Sequence, residues 1–126
     1  MCLMIEQKGK PKARIAGKRG KIVYKILKDS EGIYFSPYQN CRYFPNEIKK
    51  VHEIGEVSKL DVKNIWYILH GLHAYTKKKE ADKFCTFGRV IVKMLIPPGS
   101  KYYLGMDNEI VTTKLKWLEV VCTYGD

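Results

Sequence analysis

The feature that most constrains this chain is its punctuation. Short runs rich in β-branched and aromatic residues alternate with glycine, proline and polar turns, and the connections are too short for repeated parallel crossovers. Lys21–Leu27 is the first such run. Asp29-Ser30-Glu31-Gly32 then has the composition of a turn, and Ile33–Ser36 returns as a second strand that Pro37 ends. Ile65–Leu69 reads as a buried strand, and Arg89–Ile96 as a strong one closed by Pro97-Pro98-Gly99. Lys101–Gly105 is a further extended piece. Glu109–Thr113 and Lys116–Cys122 read as two closing strands, or as one strand with a bulge near Lys114. Met1–Ile5 suits a short strand, and Glu47–Ser58 fits either a helical turn or a strand bent at Gly55. Six or so strands with one or two short helices predict an α+β or mainly-β fold, a single compact domain over residues 1–126 with mostly antiparallel strands. A doubly wound nucleotide-binding fold is excluded, and 126 residues bury one core rather than two.

The densest group of polar side chains follows Ile65–Leu69. His70-Gly71-Leu72-His73-Ala74-Tyr75-Thr76 leads into Lys77–Phe84, where Thr76 stands at a helix N-cap position and Ala81 and Phe84 share a face. A strand-to-helix corner of this kind exposes backbone N–H groups beside polar side chains, so Thr76 and Lys77 would hold a phosphate there. The loop Tyr38–Pro45 adds Arg42, and Tyr38, Tyr43 or Tyr75 would stack on a base. The same residues also fit a purely structural account. In that account Gly71 is a bend, His73 and Tyr75 alternate across a strand, and Thr76 only caps.

Charge is placed unevenly. The chain holds 23 basic and 13 acidic residues, and nine of the basic ones fall between Gln7 and Lys28 with no acid among them. The other 14 basic and 13 acidic residues nearly cancel. Lys8, Lys10, Lys12, Arg14, Lys18, Arg19 and Lys21 therefore form a local device, and Lys8–Gly20, with three glycines and no hydrophobic period, reads as a basic loop or arm. Such a segment attracts nucleic acid, a nucleotide or an acidic protein face, or else serves as a solvated tail.

Several classes are not expected. No apolar run approaches the ~20 residues of a membrane span. Met1–Ile5 is too short for a signal-peptide core and Glu6 follows it, so the cytoplasm is the expected compartment. Cys2, Cys41, Cys85 and Cys122 form no C-x-x-C pair and read as reduced thiols. His70 and His73 have no third ligand spaced with them, so no metal site is expected. No P-loop or dinucleotide fingerprint occurs.

Two resemblances add to these readings. The MCL start with Gly9-Lys10-Pro11-Lys12, Val23-Tyr24-Lys25, Ser36-Pro37-Tyr38-Gln39 and Gly71-Leu72-His73-Ala74-Tyr75 together resemble small phage and prophage proteins of unassigned role. That likeness implies a counter-defence role in a host cytoplasm, with a host defence protein as a possible partner, and carries no activity of its own. Locally, Tyr24-Lys25, Gly71–Thr76 with Ala81, and Glu109-Ile110-Val111 resemble the three motif strands of ADP-ribosyltransferase-like domains. This second likeness implies NAD as cofactor and Glu109 as the catalytic carboxylate, with Lys25 where the family carries Arg or His.

The expectation is thus a non-enzymatic binding protein for an anionic ligand, either a nucleotide or nucleic acid, without a cofactor. Its candidate ligand residues are Lys25, Tyr38, Arg42, Tyr43, His73, Tyr75, Thr76 and Lys77, with the basic arm beside them. The alternatives are an NAD-using transferase that depends on Glu109, and an interaction module whose basic arm meets an acidic partner.

Overall fold

The computed structural model describes residues 3–37, 41–60 and 64–124. Within them the chain is mostly β, and every strand pairing is antiparallel. The expected mostly antiparallel strands are present, and the high share of strand makes the fold mostly β rather than α+β. The single α-helix, α1 (Lys78–Phe84), is seven residues long, and Met106–Asn108 adds one 3-10 turn. So short a helix is marginal by itself and persists because Ala81 packs into the protein.

The strands form two sheets. The small one joins β1 (Leu3–Glu6), β8 (Ile65–Ile68) and β7 (Ser58–Lys59) in the order β1-β8-β7. The large one is built around β3 (Lys21–Ser30) and β10 (Arg89–Ile96), which pair from Lys21↔Ile96 to Lys28↔Arg89, the whole length of β10. On one side β10 pairs with β13 (Lys114–Tyr124), which carries β6 (Ile48–Lys50) at its edge. On the other side follow β9 (Leu72–Tyr75), β12 (Glu109–Thr112), β11 (Lys101–Leu104) and the edge strand β2 (Arg14–Ile15). The closing segment is therefore two strands.

A hairpin adds β4 (Ile33–Phe35) to β3, and β4 in turn pairs with β5 (Arg42–Tyr43). Its turn residues Glu31 and Gly32 have φ of 54° and 83°. A two-residue turn with both residues at positive φ matches the twist of the flanking strands. The Asp29 carboxylate accepts the Gly32 N–H at 3.0 Å and fixes the turn further.

Strand alternation separates the two faces of the large sheet. Val23 and Leu27 of β3, Val92 and Met94 of β10, Leu72 and Ala74 of β9 and Ile110 of β12 form the inner face. Tyr43 from β5 and Leu115 and Trp117 from β13 join the same cluster, so the sheet curls around this core. The outer face is covered in two places. Leu3, Ile5 and Ile68 of the small sheet pack on Val111, while α1 lays Ala81 against Ile26, Tyr75 and Ile91.

Gly71 is the joint between the two layers. The chain leaves β8 in the small sheet and enters β9 in the large one through this residue, at φ 141°. A Cβ there would stand 2.4 Å from Val111 Cγ2, so both the backbone angle and the close approach require glycine. The expected bend at Gly71 is present, but the strand expected before the helix is two strands. Ile65–Ile68 belongs to the outer sheet and is only partly buried, whereas Leu72–Tyr75 is buried throughout.

The basic segment at 8–20 is held to the sheet. Arg14 and Ile15 pair with Tyr102 and Lys101, Ala16 N–H donates to Ser100 O at 2.9 Å, and Gly99 N–H donates to Ala16 O at 2.9 Å. Pro11 and Ala16 are buried, while the basic side chains Lys8, Lys10, Lys12, Arg14, Lys18 and Arg19 are exposed. No helix of the described residues is long and apolar enough to cross a membrane.

Candidate functional site

The chemistry-bearing residues gather at two openings in the large sheet. The first is a fork on one edge of β3. That edge pairs with β9 at Tyr24↔Tyr75 and with β4 from Lys28↔Phe35 onward, leaving a gap in the pairing beside Lys25-Ile26-Leu27. A cavity of about 30 Å³ lies there, lined by Lys25, Ser36, His73, Tyr75 and Phe84 among others. It admits a water-sized group and is far too small for a nucleotide.

Lys25 is the unusual member. Being an odd residue of β3 it belongs to the inner face with Val23 and Leu27, and it is 5% exposed. Its ammonium donates a hydrogen bond to the carbonyl oxygen of His73 and lies 5.7 Å from the centroid of the Tyr43 ring. No carboxylate pairs with it among the described residues. Burial therefore lowers its pKa from 10.5 to about 8, against a smaller opposing effect of Cys41. Burial also lowers His73, with the nearby Lys25 charge adding to it, to about 4. The ring of His73 stays neutral, with Nε2 3.4 Å from Leu69 O. Burial pushes the Tyr43 phenol upward, and its hydroxyl has no hydrogen-bond partner among the described residues.

The expected ligand residues are thus brought together only in part. Lys25, His73 and Tyr75 converge on the fork and Tyr43 lies under Lys25, but the tyrosines are not open platforms. Tyr43 is buried in the core, and Tyr75 is covered by Phe84, stacked on it at 5.7 Å. Arg42 is exposed on the other face of β5, its guanidinium 4.5 Å from the Phe44 ring centroid. Tyr38 lies outside the described residues.

The helix start differs from the expected Thr76 N-cap. Lys77, not Thr76, occupies the N-cap position, and no side chain caps the helix. Thr76 turns both its donors to one acceptor, Asn108 O, at 2.7 Å from its N and 3.2 Å from its Oγ1. Of the lysines after it, Lys77 and Lys79 are exposed and two others pair within the helix. Lys78 pairs with Asp82 at 3.4 Å and Lys83 with Glu80 at 3.1 Å.

The three transferase-like segments are neighbours in the sheet, but their residues come together only in part. Glu109 stands opposite Tyr75, which stands opposite Tyr24, so these three share the outer face. Lys25, the next residue along β3, faces inward. Glu109 is half-buried, and burial together with Asp107 raises its carboxyl pKa, but it and Lys25 leave the sheet in opposite directions.

The second opening is a cleft of about 380 Å³ on the outer side of β11, within the size range of small-molecule sites. Ala13 of the basic segment forms one wall, Val51–Ile54 another, and Ser100, Lys101, Tyr103, Thr113 and Lys114 a third. One buried hydroxyl organises the third wall. Thr112 Oγ1 donates to Lys101 O at 2.9 Å and accepts from Lys114 N–H at 3.5 Å, tying the backbones of the two lysines together. The Ser100 hydroxyl, buried in the same wall, has no partner among the described residues.

Sequence reasoning passed over Lys101, Lys114, Thr112 and Ser100. Their signal was faint, because they belong to the part of the chain where basic and acidic residues balance. Only the turn Pro97-Pro98-Gly99 and the paired threonines at 112 and 113 mark the place.

No group of three or more potential metal ligands occurs among the described residues. Cys41, Cys85 and Cys122 are free thiols, and Cys2 lies outside the described residues. No protein-family model matches the chain, and no curated protein or solved structure matches it.

Proposed function

We propose that this protein binds nucleic acid through its basic edge. One observation carries the proposal. The segment richest in positive charge is laid on the end strand of the large sheet, with its cations free. β2 is terminal in the strand order, so Arg14 sits on an open edge, opposite Tyr102 of β11. Lys12, Lys18 and Arg19 flank it, all exposed, and none of these residues makes an ion pair among the described residues. A cluster of unneutralised cations on a segment anchored to the sheet suits a polyanion. A free solubility tail would not need to be pinned to the sheet by Ala16 and Gly99.

The binding rests on phosphate contacts rather than on base stacking, since Tyr43 and Tyr75 are buried. It is therefore expected to be tolerant of sequence and steeply dependent on salt. The resemblance to small phage and prophage proteins extends the proposal to counter-defence in the host cytoplasm, with nucleic acid withheld from a host defence protein. An enzyme that uses NAD has less support, because Lys25 and Glu109 face opposite ways.

The test is binding of an oligonucleotide across a salt series. Replacing Arg14, Lys18 and Arg19 by glutamine should weaken binding and flatten the plot of log K against log salt by about one for each phosphate left unneutralised. Unchanged affinity and slope in the triple variant would sink the proposal.

A further inference from the structure

We infer that the cleft beside β11 is a binding site for one nucleoside 5′-phosphate, either free or as the terminal nucleotide of a strand held on the basic edge. The inference builds on the basic-edge proposal but uses different residues. Each part of such a ligand finds a chemical counterpart in the walls. Lys101 and Lys114 are exposed, make no ion pair among the described residues, and have their backbones tied together through Thr112. Two ammonium groups on a preorganised wall suit a dianionic phosphate, which either alone would hold loosely.

Glu53 lies in the same cleft. A carboxylate beside a phosphate site repels a simple anion such as inorganic phosphate, but it accepts hydrogen bonds from ribose hydroxyls or an exocyclic amine. The remaining surface includes Val51, Ile54 and the partly buried Tyr103, which offer an apolar flank to a planar base. A cleft of about 380 Å³ matches one nucleotide and is small for two.

Position links the cleft to the basic edge. Ala13 lines the cleft and the next residue, Arg14 of β2, pairs with Tyr102 of β11, so a strand tracking the edge would bring its end to the cleft mouth. A 5′-terminal phosphate and a free mononucleotide present the same group there. The fork cavity, at about 30 Å³, cannot take this ligand and serves as the internal control.

The experiment is calorimetric titration of the intact chain with adenosine 5′-monophosphate, adenosine and inorganic phosphate at physiological salt. Saturable binding of the monophosphate is expected, with adenosine and inorganic phosphate each weaker by about tenfold or more. Lys114→Met and Lys101→Met should each lose about tenfold for the monophosphate. Lys25→Met, at the fork, should leave it unchanged. No saturable binding up to about 10 mM, or affinity unaltered in the double lysine variant, overturns the inference.

A second arm separates the two sources. An oligonucleotide carrying a 5′-phosphate that binds about tenfold more tightly than its 5′-hydroxyl counterpart assigns the cleft to a strand end. Equal binding of the two, with the monophosphate still bound, assigns it to the free nucleotide. The two proposals also fail separately. Loss of oligonucleotide binding in the Arg14, Lys18 and Arg19 variant with the monophosphate retained leaves the cleft standing. Oligonucleotide binding without any monophosphate binding leaves only the edge.

Discussion

Lys25 at the fork and Lys101 with Lys114 at the cleft are the same side chain in two settings, and the settings reverse what the charge does. Lys25 is enclosed by the sheet, satisfied by one backbone carbonyl and the face of an aromatic ring, and its ammonium is disfavoured by burial. The cleft lysines keep their hydration, and only their backbones are constrained. A charge that costs stability in the free protein is a poor anchor for a large ligand, because the ligand has to reach it through packed residues. A charge left in water on a fixed backbone costs little until an anion arrives. The difference lies in where strand alternation and pairing put each lysine, not in the residue type.

The largest effect is expected at the fork. With Lys25 held at about 8 against 10.5, the unfolded chain binds more protons than the folded one between those values. Stability therefore rises with pH across that window, by about 3 kcal/mol in all, and the deficit is fully present below pH 8. Lys25→Met removes the buried charge while keeping a chain of similar shape. It also leaves the His73 carbonyl without its donor, at a cost of about 1 kcal/mol. The net expectation is a variant more stable by about 2 kcal/mol at neutral pH, an advantage that vanishes as the wild type deprotonates. Urea unfolding of both proteins from pH 7 to 11 measures this, and parallel curves would show that burial does not lower the Lys25 pKa in the folded state.

His73 gives the acid side of the same contrast. Its folded value of about 4 lies below the ordinary 6.5, so the unfolded state takes up the proton first as pH falls. The stabilisation is whole above pH 6.5 and is lost progressively toward pH 4, by about 2–3 kcal/mol. In His73→Gln the loss between these values should shrink to what the exposed carboxylates contribute. An acid unfolding curve that keeps its full slope in the variant would place the proton uptake elsewhere.

How much of this was legible beforehand follows from what each signal encodes. Lys21–Leu27, Arg89–Ile96 and the Glu31-Gly32 turn were readable because their composition and their local geometry agree. Tyr75 and Thr76 misled for one reason: a residue type suited to stacking or capping is equally suited to burial or to a distant acceptor. Asn108, which captures both Thr76 donors, is far along the chain, and no local pattern reports it. Glu109 and Lys25 looked like partners until the register Glu109↔Tyr75↔Tyr24 put them on opposite faces. The basic segment was visible as charge, but its attachment to Lys101 and Tyr102 is a long-range pairing. The cleft has only a faint sequence signature, because its walls come from four separated stretches.

The smallest expected change in stability is the most informative about the cleft. Thr112 is fully buried and touches no solvent, so its substitution cannot remove a direct ligand contact. Thr112→Val keeps the branched shape but deletes the hydroxyl that donates to Lys101 O and accepts from Lys114 N–H. Losing these two bonds should cost about 1–2 kcal/mol, since both backbone groups lie near the cleft and regain part of their hydration. If the cleft works by holding two ammonium groups at a set separation, affinity for adenosine 5′-monophosphate should drop several-fold although both lysines remain. Oligonucleotide binding through the β2 edge should change much less, because those cations sit on a strand that Thr112 does not bond. Monophosphate affinity equal to wild type in a folded Thr112→Val protein would mean that the lysines act as independent point charges. The preorganised wall would then have no part in recognition.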